Sequence, residues 1–178
     1  MKGKYTLVAV ITCISMLASG CSLVREALGT GPSEDTPCVG TEFDLWASRE
    51  VLVPAEPFNA EADRAASASE PTTLDAITAV AGWQGSWDRM IDVPDHATID
   101  MLNSWAGSSS ICWDGLSTEV GWTEGTSEGV YLFMDGATPV QTVRYTGPER
   151  LFFINRKPPV VERHEVLTPN GLYLLPPE

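Results

Sequence analysis

Ser127 lies in Gly125-Thr126-Ser127-Glu128-Gly129, the G-x-S-x-G spacing that presents a serine hydroxyl on a sharp turn, and Asp135 and His164 follow it in the chain. Serine, acid and histidine in that order would suit nucleophilic acyl transfer, the imidazole taking the hydroxyl proton and the carboxylate orienting the imidazole. Such an elbow needs a strand before the serine and a helix after it. Here the segment joins Trp122 to Val130, two strand-like stretches, and Gly, Ser and Thr are what a connecting loop requires. A hydrolase centred on Ser127 is therefore the least favoured reading. His164-Glu165 opens like the H-E-x-x-H zinc motif, but Thr168 stands where the second histidine belongs. On a strand, residues four apart do not converge on one ion as they do on a helix. Asp92, Asp95, His96 and Asp100 make a loose acidic group that helix capping and the helix dipole account for. With no P-loop and no dinucleotide-binding glycine fingerprint, the sequence assigns no catalytic residue, no metal ligand and no cofactor.

Tryptophan is the other chemically unusual feature, at positions Trp46, Trp83, Trp87, Trp105, Trp113 and Trp122. Buried indoles supply large apolar area to a core, which is the expected place for most of them. Trp83 and Trp87, four apart in a Gly/Ser-rich connection, are the expected exceptions, exposed to contact a ligand or partner. The charge balance, 24 Asp+Glu against 11 Lys+Arg for a net −13, excludes a nucleic-acid surface, because phosphate affinity rests on clustered cations. Residues 21–143 hold 20 acids and four Arg, whereas 144–178 hold five basic residues against four acids. The Arg156-Lys157 end is thus the side least repelled by an anionic bilayer.

The elements that would carry these residues begin with an apolar run. Lys2 and Lys4 precede Leu7–Ala18, which is shorter than the roughly 20 residues a helix needs to span a bilayer and reads as the core of a signal peptide. It ends in Leu17-Ala18-Ser19-Gly20-Cys21, which resembles the lipobox of bacterial lipoproteins, with Ala18 in the place usually held by a larger apolar residue. The resemblance covers residues 1–21. It implies that residues 1–20 are a signal peptide removed after a diacylglyceryl group joins the thiol of Cys21. Residues 21–37 would then be lipid anchor and flexible tether, polar and broken by Gly and Pro through Gly29–Pro37. Acyl chains hold a protein at the cell membrane because each buried CH₂ contributes about 0.8 kcal/mol, here on the extracytoplasmic side.

Loss of the signal peptide takes Cys13 with it, and lipidation occupies Cys21, so Cys38 and Cys112 remain as one possible disulfide in an oxidising compartment. That bond would close a loop of 75 residues, a constraint of roughly 4 kcal/mol on the unfolded chain.

Residues 38–178 read as a single α+β globular domain. Val51–Val53 and the Phe43/Leu45 alternation are short strand candidates, and the small, acidic residues 55–71 read as a surface loop. Two helices are expected, one after Thr72 with Leu74, Ile77 and Val80 on one face, the other from about Asp95 to Ala106 and ended by Gly107. From Ile111 the apolar period becomes two. Strands are expected at 111–116, 119–122, 130–134, 140–145, 151–155, 160–167 and 172–175, with Asn170-Gly171 the clearest hairpin signal. An antiparallel β-meander of about five to seven strands, with the two helices packed on one face, is the expected architecture, and a barrel or sandwich the alternative.

The expected function is a lipid-anchored, non-catalytic envelope protein that docks on another envelope component, such as an accessory subunit of a respiratory or transport complex. The alternative is a glycan- or small-ligand-binding lipoprotein using exposed tryptophans.

Overall fold

A computed structural model of the chain describes residues 39–47, 50–52, 54–116, 129–146 and 149–178. Cys21, Cys38, Trp122 and Ser127, and the strand expected at 119–122, lie outside these residues. Val39–Glu178 forms one compact unit. Its class is α+β, with three helices and nine strands among the described residues.

The centre is a four-stranded antiparallel sheet in the order β6-β5-β3-β7, built from β3 (Arg89–Pro94), β5 (Gly129–Asp135), β6 (Thr138–Tyr145) and β7 (Val160–Glu162). In β5 every residue from Gly129 to Met134 is buried, the pattern of a strand covered on both faces. Alternate side chains feed two cores. Met90, Tyr131, Phe133, Val143 and Val161 enter the first, and Ile91, Val93, Val130, Leu132 and Met134 enter the second.

The first core is covered by α1 (Ala55–Ala66), by α2 (Leu74–Val80), and by a small antiparallel sheet of β2 (Thr72–Thr73), β8 (Val166–Pro169) and β9 (Leu174–Leu175). The second is covered by α3 (Ile99–Ala106) and a parallel pair, β1 (Thr41–Asp44) with β4 (Ile111–Asp114). The expectation of two helices on one face is therefore corrected to three helices on two faces.

Four further corrections have physical causes. Residues 55–66 are a helix, because Phe58, Ala62, Ala65 and Ala66 fall on one buried stripe at helical spacing. Small side chains let the helix approach closely while Phe58 packs against Trp83, Phe133 and Phe152, ring centroids 5.1, 5.4 and 6.0 Å away. Residues 89–94 form an inner strand of the main sheet, and the helix after it begins only at Ile99, where Thr98 accepts a hydrogen bond from the Met101 N–H. The stretch 160–167 divides into β7 and β8, whose intervening turn places Glu165 beneath the Glu162 carbonyl. The main sheet is not a meander, since β3 pairs with β5 and β7 across long connections. Val51 and Leu52 are irregular, and of 151–155 only Phe152 makes a bridge, parallel to Leu174. Asn170-Gly171 does turn β8 into β9, with Asn170 Oδ1 accepting from the N–H groups of Leu172 and Tyr173.

Truncating Phe58 to alanine removes the ring that three aromatic neighbours enclose. The expected loss is about 3–5 kcal/mol, read as a lowered urea midpoint, whereas a surface-loop residue would cost almost nothing.

Candidate functional site

The most constrained chemistry lies on the first-core face of the central sheet. Asp92, opposite Tyr131 in the β3–β5 register, is only 2% exposed. Tyr145 donates its hydroxyl to Asp92 Oδ1 at 2.6 Å, and Arg150 donates Nη2–H to Oδ2 at 2.5 Å. To reach β3 from β6, the Tyr145 side chain crosses β5 at Gly129, where a Cβ would meet the phenol oxygen at 2.3 Å. No other residue leaves that passage open. Tyr131 stacks on Tyr145 with centroids 4.5 Å apart, and its hydroxyl accepts from the N–H groups of Leu151 and Phe152 at 3.0 and 3.3 Å.

Burial pushes the phenol pKa of both Tyr131 and Tyr145 far above its ordinary value, and the Asp92 charge adds to the effect. Both hydroxyls keep their protons, so neither is a base. At Arg150 burial is the largest single effect and works against the charged form, but Asp92 together with Tyr145 and Tyr131 raises the guanidinium pKa above its ordinary value. Both carboxylate oxygens of Asp92 are taken by partners and the group is closed to solvent. This cluster is an internal fastening, and what it fastens is the chain from Arg150 to Phe152.

The consequence appears at the surface one residue later. Phe153 is 47% exposed, 6.1 Å from the ring of Tyr173 and 6.0 Å from the Arg150 guanidinium. It borders a groove of about 260 Å³ between Phe153, Asn155 and Arg156 on one side and residues 175–178 on the other. Arg156 holds the floor of the groove together. It pairs with both oxygens of Glu165 at 2.5 Å, bonds to the Val160 carbonyl and donates to the Pro177 carbonyl at 3.2 Å. The Arg156 hydrogen bonds hold the Glu165 carboxyl below its ordinary value against the opposing effect of burial.

The expected site residues fare unevenly. Trp83 and Trp87 are buried, at 9% and 3% exposure, in an aromatic cluster with Phe58 and Phe133, which corrects their assignment as a contact surface. Gly85 brings the connection against Leu52. Trp46, Trp105 and Trp113 are also buried or half-buried. Cys112 is disulfide-bonded, and the other sulfur lies outside the described residues. His164 is exposed in the β7–β8 turn, 3.8 Å from Asp75, and His96 lies 3.2 Å from Asp95. Asp92 has left the acidic group in which spacing placed it. Among the described residues no cluster of three His, Cys, Asp or Glu is arranged to hold a metal, and no helix is long and apolar enough to cross a membrane.

The Asp92 cluster and the Phe153 groove were not foreseen. One local signal existed, an aspartate inside the run Met90-Ile91-Asp92-Val93, which on a buried strand demands a partner. No family model, no curated protein and no solved structure matches this chain.

Three outcomes follow. Arg150→Met leaves the Asp92 carboxylate with Tyr145 alone and is expected to cost about 3 kcal/mol in urea unfolding, the low end for a broken buried pair because a third of the Arg150 side chain meets water. Asp92→Leu combined with Arg150→Met is expected to cost less than that single change. Because the folded-state pKa of Glu165 is lowered, its contribution is complete above the ordinary value of 4.5 and is lost as pH falls through the lower folded value. The stability difference between wild type and Glu165→Gln is thus expected to be largest above the ordinary value of 4.5 and to shrink as pH falls below it, measured by urea titration across that range.

Proposed function

We propose that this protein is a lipid-anchored, non-catalytic component of a bacterial cell envelope, held at the membrane through Cys21 on its extracytoplasmic side. Its body docks on a protein partner, most simply as the accessory subunit of a membrane complex. The reading is carried by Leu17-Ala18-Ser19-Gly20-Cys21 behind a short apolar run flanked by Lys2 and Lys4. Docking is supported by the exposed Phe153 ring, set against the half-buried Tyr173 beside a proline-walled groove, since aromatic side chains are enriched at the centre of partner contacts. The acidic remainder of the chain favours a partner over the lipid itself, being repelled by anionic headgroups.

Intact-mass analysis of material extracted from membranes is expected to show acylated Cys21 at the new amino terminus. A free thiol there, or retention of residues 1–20, overturns the anchor. A photoreactive phenylalanine analogue in place of Phe153 is expected to capture one stoichiometric protein from mildly solubilised membranes. Capture of lipid alone, or of nothing, overturns the docking assignment.

A further inference from the structure

Three Asx-Gly pairs stand in the sequence, Asp114-Gly115, Asp135-Gly136 and Asn170-Gly171. Glycine leaves its backbone nitrogen without a flanking side chain, so that nitrogen can close on the side-chain carbonyl carbon of the preceding residue as a five-membered imide. The fold treats the three nitrogens differently. The Gly171 N–H donates to the Ala66 carbonyl at 3.0 Å, and Asn170 Oδ1 is itself held by the N–H groups of Leu172 and Tyr173. The Gly136 N–H donates to Asp88 Oδ2 at 2.7 Å. Both are committed to a distant acceptor. The Gly115 N–H instead donates at 2.7 Å to Oδ1 of Asp114, the side chain it would attack. Asp114 is exposed at the end of β4, so water reaches its carboxyl. Residue 115 must also be glycine, because its φ is +84° and a Cβ there would meet the Trp46 ring at 2.0 Å. Trp46 is seated on it, donating its indole N–H to the Gly115 carbonyl.

We propose that Asp114 is a site of spontaneous conversion to isoaspartate, the reagents being this chain and water. The carboxyl carbon lies one bond beyond the oxygen that the Gly115 nitrogen already touches, and reacting groups positioned in this way behave as if highly concentrated. With the carboxyl protonated, a turn about its Cβ–Cγ bond presents the carbon to the nitrogen. The N–Cγ bond forms, the amide proton and the carboxyl hydroxyl leave as water, and the product is a succinimide. Water then opens the ring at one of its two carbonyl carbons. Cleavage of N–Cγ restores aspartate. Cleavage between the nitrogen and the main-chain carbonyl carbon leaves the chain running through Cβ and Cγ, as isoaspartate of unchanged mass. The Leu45 N–H donates at 3.1 Å to that main-chain carbonyl, which becomes a free carboxylate in the product. Conversion therefore lengthens the backbone by one methylene at the last rung of the β1–β4 ribbon and loosens the seat of Trp46.

The test ages the full-length protein in detergent for weeks at mildly acid pH, both folded and in urea. All three pairs are then mapped with Asp-N protease, which does not cut before isoaspartate, and by electron-transfer fragmentation. In the folded protein, isoaspartate is expected at Asp114 at a level at least about tenfold above that at Asp135 or Asn170. In urea the order is expected to reverse in favour of Asn170, whose amide is the better electrophile once its turn is lost. Asp88→Ala, which frees the Gly136 N–H, is expected to raise conversion at Asp135 severalfold. In the converted fraction the Leu45 amide is expected to exchange at least about tenfold faster, and that of Leu132 in β5 to be unchanged. Conversion at Asp114 no greater than at Asp135, or faster reaction of Asn170 in the folded protein, overturns the proposal. An unaltered Asp135 in Asp88→Ala overturns the reason given for it.

Discussion

A carboxylate on a strand buried on both faces of a sheet must have every lone pair answered or the strand will not sit there. Asp92 imposes this constraint on β3, and the answer comes from far along the chain. Tyr145 reaches it across β5 through the opening at Gly129, and Arg150 reaches it from the segment that follows β6. Once Arg150 is committed, Leu151 and Phe152 are delivered to the hydroxyl of Tyr131, and Phe152 drops into the first core as Phe153 is turned outward. The aromatic rim of the groove is thus a by-product of satisfying one buried charge. A buried pair of this kind contributes little net stability against an apolar substitute. Its effect here is positional, because only one path of the chain answers both oxygens.

The two cores show how few residues are needed to cover both faces of the sheet. On the first face α1 contributes Phe58 and a stripe of alanines, so the backbone lies close and the single ring fills the space between Trp83, Phe133 and Phe152. On the second, α3 contributes Leu102 and Ala106, and the β1–β4 ribbon supplies Phe43, Leu45 and Trp113. Trp113 is oriented by its N–H bond to Asn103 of α3 at 2.8 Å and by an edge contact with Phe43 at 5.9 Å. The described indoles act as spacers between layers, and Trp83 and Trp87 therefore form no surface platform.

What the sequence displayed were features whose cause is local. The β5–β6 and β8–β9 hairpins follow from Asp135-Gly136 and Asn170-Gly171 between apolar runs, the helix expected after Thr72 forms as α2 with Thr73 rather than Thr72 as its cap, and Gly107 closes α3. Features whose cause is distant left no such mark. The composition of 55–66 is small and acidic, and only the presence of a partner face turns four scattered residues into a buried stripe. β3 follows a connection full of Gly and Trp and ends at Pro94, and its identity comes from pairing with β5 and β7 rather than from its own pattern. Asp92 finds its partners 53 and 58 residues away, a separation at which spacing carries no information. The reading of 160–167 as one strand concealed the turn between Glu162 and Glu165, where Arg156 pairs with Glu165.

The two faces of the sheet also separate two mechanical roles. The ribbon β1–β4 closes the second core, with Trp46 held to the Gly115 carbonyl and Phe43 and Leu45 buried beneath it. The groove belongs to the first core, where Phe152, Leu167 and Leu174 are buried and Arg156 ties the chain near Pro177 to β7. Between the two lies β5, whose residues pack to both sides and whose pairing with β3 and β6 is the longest in the fold. A disturbance of β1 must therefore rearrange the central sheet before it reaches Phe153. The β1–β4 ribbon and the Phe153 groove are thus tied to opposite faces of the central sheet.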